Sequence, residues 1–271
     1  MLKIYYLASE INPFSLTNTV GSFSKEFSSI LKQDKEIDIR LTQPKYGYIS
    51  DRRYILREVI RLKNLSIEFM GEEQTINLKS GFIPNTRVQV YFMEHEEYFK
   101  TTGDLLYKSR NGRVYSNNNE RFTFFVKAAI ETLEKLYWIP DYIICNDWQM
   151  SMLPQLFNSK FKKQYKDTKI IFIAHNLDKS YQFENKLYDS LDLDFNDKLK
   201  VQNNLLNAVK FSDYTYILND ENDNAKKFIN KNTDFKNSLK RGKHKLINYS
   251  SSVSPSDRIQ IYNDILEKLK K

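Results

Sequence analysis

The sequence is poor in glycine: 7 residues in 271, well under half of the average usage of about 7%. It contains no G-x-G-x-x-G and no G-x-x-x-x-G-K-[ST], so neither a dinucleotide fingerprint nor a P-loop is available to cradle phosphates. There is one cysteine, Cys145, which excludes an internal disulfide and predicts a cytoplasmic location. No apolar run approaches the ~18–20 residues that cross a bilayer, which argues against a membrane partner. The first residues enter a strand-like run at once (Lys3-Ile4-Tyr5-Tyr6-Leu7-Ala8), without the layout of a signal peptide. Aromatic residues are abundant, with 18 Tyr and 18 Phe inside a hydrophobic share of 41%, enough to build a full core.

The formal net charge is +8. Lysine and asparagine recur along the whole chain, which reads first as solvated faces. One dense basic patch, Lys240-Arg241-Gly242-Lys243-His244-Lys245, lacks interleaved aromatics on which bases could stack. Phosphate contact without base reading stays open there, but the composition as a whole disfavours nucleic acid as a partner.

Strand-like and helix-like stretches alternate, which predicts an α/β fold with a doubly wound, mostly parallel sheet. Strands are expected at 3–8, 37–42, 141–145, 168–174 and 214–218, the last of these closing the sheet. Close-spaced short β runs between 57 and 99 predict a small antiparallel insertion. Helices are expected at 21–33, 149–157 and 201–211. The clearest spans 119–137, with Phe122, Phe125, Val126, Ala129, Ile130 and Leu133 on one face and Asn119 as a plausible N-cap. Residues 105–118 read as a polar loop and 178–199 as acidic and irregular. The expected organisation is one unit over 1–229, a basic polar linker over 230–253, and an amphipathic helix over 254–271. That helix needs an apolar surface, on its own unit or on a partner.

Two strand ends hold most of the legible chemistry: Cys145-Asn146-Asp147-Trp148-Gln149 and Ala174-His175-Asn176-Leu177. In an open parallel sheet, ligands bind outside the carboxyl ends of the strands. If the two strands are neighbours, Asp147 and His175 share one crevice. The plainer alternatives are that Asp147 caps the helix starting near Gln149, and that His175 is a satisfied histidine at a strand end.

Six segments in order carry a family resemblance: Leu7-Ala8-Ser9-Glu10-Ile11-Asn12-Pro13-Phe14, Pro44-Lys45-Tyr46-Gly47, Val90-Tyr91-Phe92 with Glu97-Tyr98-Phe99, Asn119-Glu120-Arg121-Phe122, Asp147-Trp148-Gln149 and His175-Asn176-Leu177. Together they resemble the N-terminal catalytic domain of glycogen and starch synthases (glycosyltransferase family 5). The resemblance implies the Rossmann-like N-terminal half of a GT-B fold. It also implies transfer of glucose from ADP-glucose to an α-1,4-glucan or maltooligosaccharide, with retention, no metal and no cofactor besides the donor. Asp147 and His175 are the catalytic candidates by this resemblance. Glu10, Asn12, Tyr46, Asn146, Trp148, Gln149 and Asn176 are the substrate-binding candidates.

Two departures stand against it. The family's opening loop reads Lys-x-Gly-Gly-Leu, and this chain has Leu16, Thr17, Asn18, Thr19 and Val20 there; the family's histidine before the aspartate is Asn146 here, which removes one proton carrier. Leu16 offers the donor's phosphates no charged hydrogen bond, worth about 1.5–3 kcal/mol per contact. The chain also stops where the family's second domain would begin, so that domain is expected from a second polypeptide if the chain is active at all. The alternative is a non-catalytic glucan-binding or regulatory partner that keeps the acceptor side only.

Overall fold

The computed structural model describes residues 1–250 and 253–270, leaving out the side chain of residue 179. In chain order the elements are β1 (Leu2–Leu7), α1 (Thr19–Gln33), β2 (Ile37–Pro44), α2 (Asp51–Tyr54), β3 (Arg57–Glu58), β4 (Leu65–Phe69), β5 (Glu72–Phe82) and β6 (Gln89–Glu94). The chain continues through α3 (Asn118–Lys135), β7 (Tyr142–Asn146), α4 (Leu153–Leu156), β8 (Lys169–Ala174), β9 (Gln182–Glu184), α5 (Asn185–Asp189), β10 (Val201–Asn203) and α6 (Asn204–Phe211). It ends with β11 (Tyr214–Asn219), α7 (Asn224–Lys231), α8 (Thr233–Arg241), β12 (His244–Asn248) and α9 (Pro255–Leu269).

One sheet runs β12-β11-β8-β7-β1-β2-β6-β5-β3, with β4 paired to β5. From β12 to β6 every pairing is parallel, and β3, β4 and β5 add the antiparallel insertion. The central strands are buried on both faces, which is why Ile4–Leu7, Tyr142–Asn146 and Ile170–Ala174 read as continuous apolar runs. The chain steps outward from β1 to β2 and β6, then returns to β7 on the other side of β1. The order therefore reverses between β1 and β7, and the loops after those strands part at that point.

One of the few glycines stands where no other residue fits. A Cβ on Gly47 would lie 1.9 Å from the Lys100 carbonyl oxygen. α3 starts one residue earlier than expected, after Asn117, and Asn119 instead donates from Nδ2 to the Gln182 carbonyl at 2.6 Å. The helix expected at 149–157 is a turn at Trp148–Met150 followed by α4. The first residues expected in the 201–211 helix form β10 against β9, and Asn203 then caps α6.

The carboxyl-terminal fifth differs most. β11 is not the last strand, because β12 pairs with it in parallel from Thr215 to Asn219. The stretch read as a linker from 230 to 253 carries α8 and β12; residues 251, 252 and 271 lie outside the described residues. Its polarity is the outward side of short amphipathic helices whose Ala225, Phe235 and Leu239 turn inward. Topology explains α9. The steps β7→β8→β11→β12 all run the same way, so right-handed crossovers put α4, α6 and α8 on one face. The opposite face of that half-sheet has no crossover helix, and α9 covers it beside α1. Tyr262 packs on Phe23 and Phe27, its hydroxyl donates to Glu26 at 2.9 Å, and Arg258 pairs with Glu26 at 3.1 Å.

Candidate functional site

β7 and β8 are parallel neighbours, with Asn146 level with Ile173, so the two expected strand ends do meet. Asp147 has φ 60° and ψ −171°, a region that residues with a Cβ avoid at about 1–3 kcal/mol. Its N–H donates to the Ile173 carbonyl at 2.8 Å. Its Oδ1 accepts from the His175 N–H at 3.0 Å, the Asn176 N–H at 3.2 Å and the Tyr181 hydroxyl at 3.0 Å. Burial pushes this carboxyl up to about 6, against the pull of those three donors. Oδ2 is buried without a hydrogen-bond partner among the described residues. The side chain makes no helix-capping bond, so the carboxylate braces the loop after β8 and not the turn that follows it.

His175 is 7% exposed. Its Nε2 lies 3.2 Å from Asn146 Oδ1, and its Nδ1 lies 3.4 Å from Thr19 Oγ1. Asn146 Nδ2 donates to the Leu7 carbonyl at 3.0 Å, which assigns its Oδ1 as the acceptor and places the imidazole proton on Nε2. Burial lowers the imidazole to about 3, so it is neutral at pH 7. Phe23 stands edge-on against the ring at 5.0 Å, backed by Tyr249 at 5.2 Å and Tyr262 at 5.3 Å. Asp147 and His175 thus belong to a buried network at the rim, where an open crevice was expected.

The turn after β1 sits beside this network. Glu10 is fully buried. Its Oε1 accepts from the Tyr107 hydroxyl at 2.7 Å and from Thr17 Oγ1 at 2.8 Å, and the Thr17 N–H donates to Oε2. Burial raises its pKa, opposed by these bonds. Asn12 donates from its backbone to the Gly21 carbonyl at 3.1 Å. Asn18 caps α1 by accepting from the Val20 N–H at 2.8 Å. Thr19 faces His175, and Leu16 projects outward at 51% exposure.

Leu16, Thr17 and Asn18 line a cleft of about 650 Å³ with Phe14, Tyr48, Asp104, Tyr107 and Lys108. Tyr48, 39% exposed, stacks parallel on Tyr46, whose buried hydroxyl donates to the Ser9 carbonyl at 2.8 Å. Tyr46 therefore supports the cleft wall from behind. Trp148 packs edge-on against Phe122 at 5.3 Å, and Gln149 Nε2 donates to the Tyr107 hydroxyl at 2.9 Å. Asn176 is exposed at the rim.

Tyr48, Tyr107 and Tyr181 escaped the reading of the sequence. They lie in loops, where no hydrophobic period marks a residue. Tyr107 joins Glu10, Gln149 and the cleft from inside the stretch read as a polar loop. That loop is held by Arg121, which is buried and donates to Thr102 Oγ1 at 2.9 Å, Asn118 Oδ1 at 2.7 Å and the Leu106 carbonyl. Among the described residues no group of three His, Cys, Asp or Glu could hold a metal ion, and no helix is long and apolar enough to cross a membrane.

Residues 3–221 match the family described as starch synthase catalytic domain. A glycogen synthase of Chlorobaculum parvum is 29% identical over 218 residues, covering 78% of this chain and 44% of that protein. A glycogen synthase of Chlorobium limicola is 31% identical over 177 residues, covering 65% of this chain and 36% of that protein. The chain spans less than half the length of these curated relatives. The solved catalytic domain of starch synthase IV from Arabidopsis thaliana, bound to ADP and acarbose, superposes with a TM-score of 0.71 at 19% identity, over 91% of this chain and 51% of that one. The fold is the Rossmann-like N-terminal half of a GT-B fold, and the chain belongs to the starch synthase catalytic domain family.

Proposed function

We propose that this chain binds α-1,4-glucan or maltooligosaccharide in the cleft beside the β1 turn, and does not by itself transfer glucose from ADP-glucose. The observation that carries this reading is the cleft wall. Tyr48 and Tyr107 offer aromatic faces on which the C–H face of a pyranose can lie, while Thr17, Asn18 and Asp104 can bond hydroxyls. The position where the family's donor loop has a lysine is filled by exposed Leu16, which has nothing to offer a diphosphate. Among the described residues the only cation lining the cleft is Lys108, with the Asp104 carboxylate on the same wall. GT-B transfer depends on positioning and on stabilising leaving-group charge.

Calorimetry with maltoheptaose and with ADP-glucose tests this. The expected result is maltoheptaose binding, weakened about tenfold by Tyr48→Ala, and no heat with ADP-glucose. ADP-glucose binding without maltoheptaose binding would overturn it.

A second reading is a glucosyltransferase completed by a polypeptide that carries the other half of the fold. Asp147 and His175, which match the family's motifs and are held in one network at the ends of β7 and β8, favour it. Radiolabelled ADP-glucose supplied to the chain with lysate of its own cells separates the two. Label entering glycogen only when both are present supports completion by a partner.

A further inference from the structure

Residues 222–245 hold eight lysines and arginines against two aspartates, a net of +6 out of the +8 of the whole chain. All eight cations are exposed. Lys226 pairs with Asp223 and Lys245 with Asp264. The other six, Lys227, Lys231, Lys236, Lys240, Arg241 and Lys243, have no carboxylate within 4 Å among the described residues. Lysine spread over the chain does not account for this, since the rest of the sequence carries only +2. Six like charges without a carboxylate within 4 Å, on two short helices and the turn into β12, repel one another, which weakens the fold unless a counter-charge sits on them.

The same segment ends in an exposed sheet edge. Among the described residues β12 pairs only with β11. The Thr215 N–H donates to the Lys243 carbonyl and the Tyr249 N–H to the Asn219 carbonyl. Alternation in a parallel ladder then turns the backbone groups of residues 243, 245, 247 and 249 toward β11, and those of His244, Leu246 and Asn248 outward. Those outward groups have no strand partner among the described residues.

Several occupants fit poorly. A second copy of this chain would bring the same +6 to the contact. A lipid surface calls for apolar side chains that insert, and Ala225, Phe235 and Leu239 of α7 and α8 are buried. Single-stranded bases call for exposed aromatics, and Phe228 and Phe235 pack on each other. A duplex phosphate backbone would satisfy the lysines but not the outward edge of β12. An extended polypeptide with acidic side chains satisfies both.

We propose that β12, with the cations of α7 and α8, docks an acidic extended segment of another polypeptide, added as a strand alongside β12. The surface begins at the amino-terminal end of β12, the rim opposite the cleft, and the inference does not rest on the glucan reading.

The test uses the full chain at physiological ionic strength and three probes: a capped peptide of alternating valine and glutamate, its valine and lysine counterpart, and a short DNA duplex. Calorimetry is expected to show binding of the glutamate peptide, none of the lysine peptide, and a loss of about tenfold or more in the exposed double variant Lys240→Glu/Lys243→Glu. Amide hydrogen exchange is expected to slow at His244, Leu246 and Asn248 when the glutamate peptide is bound. Tighter binding of the duplex, absent peptide binding, peptide binding without protection of those amides, or indifference to the charge reversal would each overturn the proposal.

Discussion

The rim after β7 and β8 and the turn after β1 lie side by side, yet they relate to solvent in opposite ways. At the rim Asp147 and His175 match the family resemblance, and with Asn146 they are buried in one hydrogen-bond network. At the turn the types depart from it, and Leu16 and Thr17 line an open cleft. The two matching residues are ones whose removal leaves buried donors without acceptors. The departure at Leu16 lies where the side chain meets water and a ligand would notice. Similarity at a strand end is therefore weak evidence of chemistry, and substitution in a cleft-lining turn is strong evidence of altered ligand preference.

Breaking the buried side of this contrast is expected to have the largest effect. Asp147→Ala leaves the His175 and Asn176 N–H groups and the Tyr181 hydroxyl without their acceptor, and should cost about 3–5 kcal/mol in urea denaturation. Asp147→Asn keeps an acceptor oxygen and should cost about 1–2 kcal/mol. A loss below ~1 kcal/mol for the alanine variant would show that the rim holds its shape without the carboxylate.

Acid titration probes the same network. His175 takes up a proton at about 3 folded and 6.5 unfolded, so its contribution is lost as pH falls through that window. Asp147 takes up a proton at about 6 folded and 3.8 unfolded, so its protonation favours the folded state as pH falls from 6 toward 3.8. The two oppose each other. Denaturation midpoints should fall on acidification from pH 6.5 to 4, and fall further in Asp147→Asn, which lacks the compensating carboxyl. Equal pH profiles for the two proteins would contradict the upward shift of the buried Asp147 carboxyl.

Tyr107 is the joint between the two regions. Tyr107→Phe removes the hydroxyl shared by Glu10 and Gln149, and should cost about 1–2 kcal/mol in thermal or urea unfolding. The mildest change in stability is expected on the open side. Leu16→Lys should alter stability by no more than about 0.5 kcal/mol, because the side chain is half exposed. It should also raise affinity for ADP-glucose about tenfold or more, from one charged contact. No gain in that titration would assign the lost grip to the backbone at Asn18 and Thr19, where the cap of α1 now stands.

Strands β1, β2, β7, β8 and β11 and helices α1 and α3 were legible because each is long, apolar and regular in period. β12 was not, because an edge strand buries little and only Leu246-Ile247 interrupts its polarity. α7 and α8 were missed for the same reason: their inward faces amount to Ala225, Phe235 and Leu239. At the site, Asp147 and His175 were legible as polar residues at strand ends, and Glu10 only through the family resemblance. Tyr48, Tyr107 and Tyr181 were not, since loop tyrosines carry no pattern.

Residue order and hydrophobic period alone decided the parallel sheet, and the ordered motifs carried the resemblance to the family and to its donor loop, because these depend on local chemistry along the chain. Only the folded arrangement decided that Asp147 and His175 face inward and that the cleft opens beside them. It also decided that α9 completes the bare face of the sheet. Burial and pairing arise from segments far apart in sequence, from 28 residues for Asp147 and His175 to 236 for Tyr262 and Glu26. No local pattern of residues specifies which distant side chain closes over which.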